Sequence, residues 1–135
     1  MNSLQTVFNR TVATSLANLF VSPPSIGGQR WRLRTISLTV VTDANVADRT
    51  FAIRTANGAG DQLCLMTDGA IQLTNLTVTH SWQTGGDLRG VVDATNHSHV
   101  IPETICEAGW TVSVATLNAQ AGDTIGPAIA VWELL

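Results

Sequence analysis

A chain of 135 residues is the length of one ordinary domain, and its 44% hydrophobic against 13% charged residues argue against intrinsic disorder, which needs the opposite balance. The formal net charge is −3 and the seven positive residues are all arginine, a balance that disfavours binding nucleic acid through its phosphates. No stretch approaches the roughly 18 uninterrupted apolar residues of a membrane helix, and the opening residues lack the basic start and apolar run of a secretory signal, so synthesis in a cytoplasm and no membrane partner are expected.

Residues 7–20 are ambiguous. Val7, Val12, Leu16 and Leu19 could line a helix, but Thr6, Thr11, Thr14 and Ser15 oppose one, so extended structure or a short docked helix is expected. The only marked break follows, at Ser22-Pro23-Pro24-Ser25-Ile26-Gly27-Gly28, where paired prolines favour extended backbone and paired glycines permit a tight turn. Residues 1–25 are too short to bury a core of their own. They are read as an N-terminal arm or first strand, and residues 26–135 as the folded domain.

From Trp31 onward the pattern has period two. Ile36, Leu38 and Val40, then Phe51 and Ile53, then Leu63 and Leu65, each take alternate positions. Ile71 and Leu73 follow, then Leu76, Val78, His80 and Trp82, and the parity change between Leu73 and Leu76 predicts a bulge or kink. Trp110, Val112 and Val114 alternate in the same way, and an apolar run from Ala128 to Leu134 closes the chain. Turn signals at Asn57-Gly58, Asp68-Gly69, Gly85-Gly86, Ala108-Gly109 and Ala121-Gly122-Asp123 separate these runs. Short strands at spacings of about 8–12 residues predict an all-β fold, an antiparallel β-sandwich of jelly-roll type with an extended N-terminal segment.

The chemistry-bearing residues form no specific catalytic pattern. There is no nucleophile elbow or phosphate loop, and Gly58-Ala59-Gly60 does not complete a dinucleotide fingerprint. The expectation is therefore no enzyme, no cofactor, no metal and no small-molecule ligand. His97 and His99 are the best metal pair, since alternate strand positions share a face. Yet Asp93, Asn96 and Ser98 make the stretch polar, and a solvated loop before Pro102 is the favoured reading. His80, in phase with Val78 and Trp82, reads as a hydrogen-bonded core or interface histidine. Arg30, Arg32 and Arg34 share one face, opposite Trp31 and Leu33. They suit a stacking platform for single-stranded nucleic acid, or pairing with carboxylates at a protein interface, or a plain exterior strand. The negative net charge favours the last two. Asp43, Asp48 and Arg49 lie in a connection between strands, where Asp43-Ala44-Asn45 suits a turn. Core filling is the default for Trp31, Trp82, Trp110 and Trp132, with exposed sugar platforms as the other possibility. Cys64 and Cys106 form no CxxC pair and read as free buried thiols, a disulfide being the alternative.

Three stretches together resemble a known group. They are Trp31-Arg32-Leu33-Arg34 through Leu38-Thr39-Val40-Val41-Thr42-Asp43-Ala44-Asn45-Val46-Ala47-Asp48-Arg49, the strand Phe51 to Arg54 leading into Asn57-Gly58, and Ile101-Pro102 with Ala108-Gly109-Trp110-Thr111-Val112, Ala121-Gly122-Asp123 and Val131-Trp132-Glu133-Leu134. In this order they resemble small β-sandwich proteins encoded among the virion genes of tailed bacteriophages, over residues 28–135. The resemblance implies a virion component, either a capsid decoration (cement) protein or part of the tail. It implies the major capsid protein as partner, a homo-oligomer with a trimer favoured, and a place on the capsid surface of a particle made in a bacterial cytoplasm. The candidate interface residues are Phe8, Arg10, Phe20, Arg30, Arg32, Arg34, His97 and His99, with residues 1–20 expected to order on assembly. The alternative is a tail or baseplate module that binds host carbohydrate.

Overall fold

The period-two runs become strands. The structure is a computed structural model that describes residues 6–11, 18–20, 22–23, 28–67, 71–84, 90–126 and 128–135, with the backbone alone for 6–11, 18–20 and 90–92. Within these residues there is no helix. The strands are β1 (Thr6–Thr11), β2 (Asn18–Phe20), β3 (Arg30–Val41), β4 (Arg49–Ala56), β5 (Gln62–Met66), β6 (Ile71–Gln72), β7 (Thr77–Thr84), β8 (Gly90–Asp93), β9 (Asn96–Ile101), β10 (Thr104–Glu107), β11 (Thr111–Leu117), β12 (Thr124–Ile125) and β13 (Ala128–Leu134). They form two sheets, the all-β sandwich that the alternation predicts. The first runs β1-β13-β3-β7-β9-β8 with β10 and β12 also on β3, and the second runs β2-β11-β4-β5 with β6 beside β4.

β3 is the spine. Its 12 residues are long enough to take two partners on each edge, β10 then β7 along one and β13 then β12 along the other. Trp31 and Leu33 are buried, and so are Ile36, Leu38 and Val40, so the inward parity slips at Arg34–Thr35. The pairing slips at the same place, where Val131 faces Thr35 but Trp132 faces Leu33. A bulge there lets both halves of one strand keep their apolar side inward. The core between the sheets holds Trp31, Leu33, Ile36, Leu38, Trp82 and Trp132 from the first sheet against Phe51, Ile53, Val112 and Val114 from the second. Three of the four tryptophans thus fill the core, and Trp110 packs on its margin half-buried.

The expected bulge between Leu73 and Leu76 is instead a change of sheet. β6 pairs with β4 in the second sheet and β7 with β3 in the first, so the chain crosses the sandwich within Leu73–Leu76. Asn75 takes φ 54 in this turn, a conformation its short amide side chain tolerates. The Thr42 hydroxyl clamps the turn, donating to the Leu73 carbonyl at 2.6 Å and accepting from the Leu76 N–H at 2.9 Å.

The sandwich is not antiparallel throughout, because β7 and β9 run parallel from Thr79↔Asn96 to Thr84↔Ile101. β8 and β9 form a tight hairpin whose turn is closed by the Asp93 carboxylate, which accepts from the Thr95 N–H at 2.8 Å. That hairpin places β9 between β7 and β8. At the N-terminus, β1 pairs with β13 along its whole length and β2 pairs with β11, so the described parts of residues 7–20 are extended. Val12, Leu16 and the side chains of Phe8, Arg10 and Phe20 lie outside the described residues, as do the turn residues Asp68-Gly69 and Gly85-Gly86.

A buried ion network pins the β3–β4 connection to the turn before β12. Arg49 donates to Asp123 from Nε at 3.0 Å and from NH2 at 2.9 Å, and to Asp43 at 2.7 Å. Asp123 also accepts from the Asp43 and Gln120 N–H groups, both at 2.8 Å. Asp43 accepts from the Gly122 N–H at 3.0 Å, and a Cβ at Gly122 would lie 2.5 Å from the Asp43 Oδ2. The connection is the turn expected there, with Arg49 drawn inside rather than left in it.

Candidate functional site: an apolar sheet face over a buried histidine cluster

The two sheets present unlike faces to the outside. In β4, Phe51 and Ile53 belong to the core, so Thr50, Ala52 and Arg54 point outward. In β11, Val112 and Val114 belong to the core, so Ser113, Ala115 and Leu117 point outward. The register places Leu117, Thr50 and Ile71 in one cross-strand row, Ala115 beside Ala52 in the next, and Ser113, Arg54 and Leu65 in a third, although Ala52 and Ser113 in the middle of this face are buried. Leu117, Ile71 and Leu65 are 51%, 42% and 50% exposed, and Leu73 and Leu63 beside them are exposed as well. Arg54 is turned along the sheet, its Nε donating to the Gln62 Oε1 at 3.0 Å.

The outer face of the first sheet is polar. Ser37 faces Ser81, Thr35 faces Gln83, and the hydroxyls of Thr39 and Thr79 share a hydrogen bond at 3.0 Å. Among the described side chains Val41 and Ile129 are exposed aliphatics on this face, and Val100, Ile105 and Val131 are half-buried on it. Arg30, Arg32 and Arg34 lie on this face, and two of them already hold carboxylates of the same chain. Arg34 meets Glu133 at 2.7 Å, and Arg32 meets Glu103 at 2.7 Å and Glu133 at 3.5 Å. Arg30 is exposed.

Leu63, Leu65, Ile71 and Leu73 were expected to point inward and instead point to solvent. The reason is position: β5 pairs with β4 alone among the described residues, and Leu63 is the extra residue of a bulge between Cys64 and Gln62. Gln62–Met66 holds no charged residue or proline, the usual guards of a free sheet edge. Cys64 lies on this edge and is exposed, contrary to the buried-thiol reading, whereas Cys106 is buried and its thiol is pushed up to about 11 by that burial. Neither forms a disulfide.

His97 and His99 are not in a solvated loop. They sit in β9 and are 5% and 2% exposed, because the parallel register sets His97 against His80 and His99 against Trp82 on the inward face. Their imidazoles therefore lie under the surface of the chain. His80 is the hydrogen-bonded core histidine expected from its phase. The rings are close: Trp82 stacks on His99 at 4.6 Å and 14°, His80 lies 5.4 Å from His99 and 5.0 Å from His97, and Phe51 covers His80 at 4.3 Å.

Gln72, a residue no motif singles out in the sequence, organises this cluster. Its Nε2 donates to the carbonyls of Val40 at 2.9 Å and Leu76 at 3.0 Å, so its Oε1 faces the His80 Nε2, 2.7 Å away. An amide oxygen only accepts, so the His80 Nε2 carries the proton. In neutral His80 the Nδ1 is then an acceptor, and the His99 Nε2, 3.1 Å away, donates to it. Burial first, and the neighbouring His99 and His97 second, lower the His80 pKa to about 3. Among the described residues no three His, Cys, Asp or Glu side chains are placed to hold a metal ion.

A cleft of about 320 Å³ joins the cluster to the apolar edge. Leu65 and Met66 of β5 form one wall, Ile101 and Pro102 the other, with Trp82 and His99 also lining it. Comparison with protein-family models, with curated proteins and with solved structures found no match to this chain.

Proposed function

We propose that the chain is a non-enzymatic structural protein of a bacteriophage virion that decorates and stabilises the capsid, docking through the outer face of the second sheet and leaving the first sheet to solvent. The observation that carries this reading is the unequal polarity of the two faces. Leu65, Ile71, Leu73 and Leu117 are exposed on or beside one sheet, whereas hydroxyls and paired arginines dominate the other. Large apolar side chains left exposed near one another on a domain surface support a docking role for that side. The partner is the major capsid protein, and the working form is a homo-oligomer, a trimer by analogy. Weak apolar contacts repeated over a lattice add up to strong retention. The resemblance over residues 28–135 points the same way.

Host carbohydrate is the competing ligand for a tail or baseplate module. It has less support, because Trp31, Trp82 and Trp132 are buried and offer no stacking platform. Mixing the protein with expanded capsid shells that lack it is the test. Saturable co-sedimentation with a rise in shell heat stability is the expected result. Absence of binding would overturn the capsid reading and make a glycan screen the next step.

A further inference from the structure

We propose that the His80–His97–His99 cluster is an acid-released latch that holds β9, and with it the β8–β9 hairpin, against β7. Only its consequence for docking, through the cleft that Leu65 shares with His99, rests on the capsid reading above. In the described sheet β8 reaches the rest of the fold through β9, and β9 through β7. The inward side chains of β9 that face β7 and the core are His97, His99 and Ile101. Attachment of the hairpin therefore depends on buried imidazoles.

At His80 the hydrogen-bond chain leaves no place for a further proton. Val40 and Leu76 fix the Gln72 amide, Gln72 fixes the proton on the His80 Nε2, and the His80 Nδ1 then takes the proton of the His99 Nε2. A proton added at the His80 Nδ1 would face the His99 Nε2–H across 3.1 Å, donor against donor. Relief requires His99 either to swing away, which unpacks its ring from Trp82, or to move its own proton to Nδ1, which ends its present role as donor to His80.

The groups facing His80 do not offset the new charge. β4 supplies Phe51, β6 supplies Gln72, β3 sets Leu38 opposite, β7 supplies Trp82 and β9 supplies His97 and His99. The charged side chain nearest in register is Arg49, opposite Gln72, and it is already held by Asp43 and Asp123. Asp93 and Glu103, beyond the two ends of β9, hold Thr95 with Asn96 and Arg32 respectively. A His80 imidazolium is stable only once the hairpin lifts and water enters. The His80 pKa of about 3 in the closed form, against 6.5 when solvated, agrees with this geometry.

The test is amide hydrogen exchange on the free full chain at pH 7.5 and pH 5.0, corrected for the intrinsic rate at each pH. Protection of the β9 amides is expected to fall about 30-fold, the ratio that one proton bound only by the open form gives over this interval. Protection in β3 and β13 should fall less, since lifting the hairpin leaves their pairing intact. The variant His80→Gln keeps a donor for Gln72 and cannot titrate at this position, so its β9 protection should fall clearly less with pH than that of the wild type. Constant β9 protection in the wild type, an equal fall in all strands, or the same β9 fall in His80→Gln would each overturn the latch. Nitrogen-15 spectra of the wild-type imidazoles give a second readout that needs no variant: protonated Nε2 on both His80 and His99 at pH 7.5 supports the chain of donors, and any other tautomer refutes it. Shell binding at pH 7.5 is measured separately, so failure of the capsid reading leaves this result intact.

Discussion

Gln72→Met tests the buried hydrogen-bond relay directly. Gln72 is fully buried, and methionine nearly matches its volume, so the substitution removes polar contacts with little change in packing. Three hydrogen bonds are lost, to the Val40 carbonyl, the Leu76 carbonyl and the His80 Nε2. The Leu76 carbonyl keeps the Thr42 N–H at 2.9 Å, so its loss is small. The His80 Nε2–H is left buried without its acceptor, which costs about 1–3 kcal/mol, and each remaining bond contributes about 1 kcal/mol net. The sum is about 3 kcal/mol, on the order of a hundredfold rise in the unfolded fraction. For a chain of this length that corresponds to a drop in Tm of about 10 °C. Urea and thermal melts at pH 7.5, followed by tryptophan fluorescence, measure it. A variant within about 0.5 kcal/mol of the wild type, the range of a neutral surface change, would refute the relay as a source of stability.

Further outcomes follow from the same geometry. His80 has a folded pKa of about 3, below its unfolded value of 6.5, so its contribution is complete above pH 6.5 and is lost as pH falls toward 3. The slope from His80 is about 1.4 kcal/mol per pH unit and its loss from pH 7.5 to 5.0 about 2 kcal/mol, read as the part of the urea-midpoint shift that His80→Gln removes. Burial pushes the Asp123 carboxyl up, but the Arg49 hydrogen bond and the N–H groups of Gln120 and Asp43 outweigh it and hold its pKa below the ordinary 3.8. Its contribution is present above pH 3.8 and lost below, so Asp123→Asn should flatten the acid limb of the stability curve in that lower window and not near pH 5. Gly122→Ala drives a Cβ to 2.5 Å from the Asp43 Oδ2, and calorimetry should show a loss of about 1–3 kcal/mol. Leu65→Lys with Leu117→Lys should leave monomer stability within about 0.5 kcal/mol per site, since both side chains are half in water already.

Strand positions, the tryptophan core and the role of His80 were legible in the sequence because each depends on local alternation. What alternation does not carry is the phase of a short strand or the identity of its neighbour. The two residues of β6 show this: Ile71 is exposed and Gln72 is buried, because β6 pairs with the end of β4 just before the chain changes sheet. A change of sheet and a bulge leave the same parity shift between Leu73 and Leu76. His97 and His99 looked like loop residues because their neighbours are polar, and only the parallel pairing with β7 turns them inward. Arg49 and Asp123 are 74 positions apart, a separation at which no local pattern reveals a pair. The leucines of β5 carried the right period, but nothing in a single chain shows that their strand lies at an edge.

The central claim is that one sheet face docks and the other does not. The most direct measurement compares shell binding by Leu65→Lys/Leu117→Lys with binding by Thr39→Lys/Ser81→Lys, which places the same charges on the polar face. Co-sedimentation with expanded shells at pH 7.5 should lose about tenfold or more in affinity for the first variant, together with the gain in shell heat stability, as expected when two exposed leucines that docking would cover become charged. The second variant should bind like the wild type. Equal binding by both variants, or a loss confined to the polar-face variant, would contradict the account.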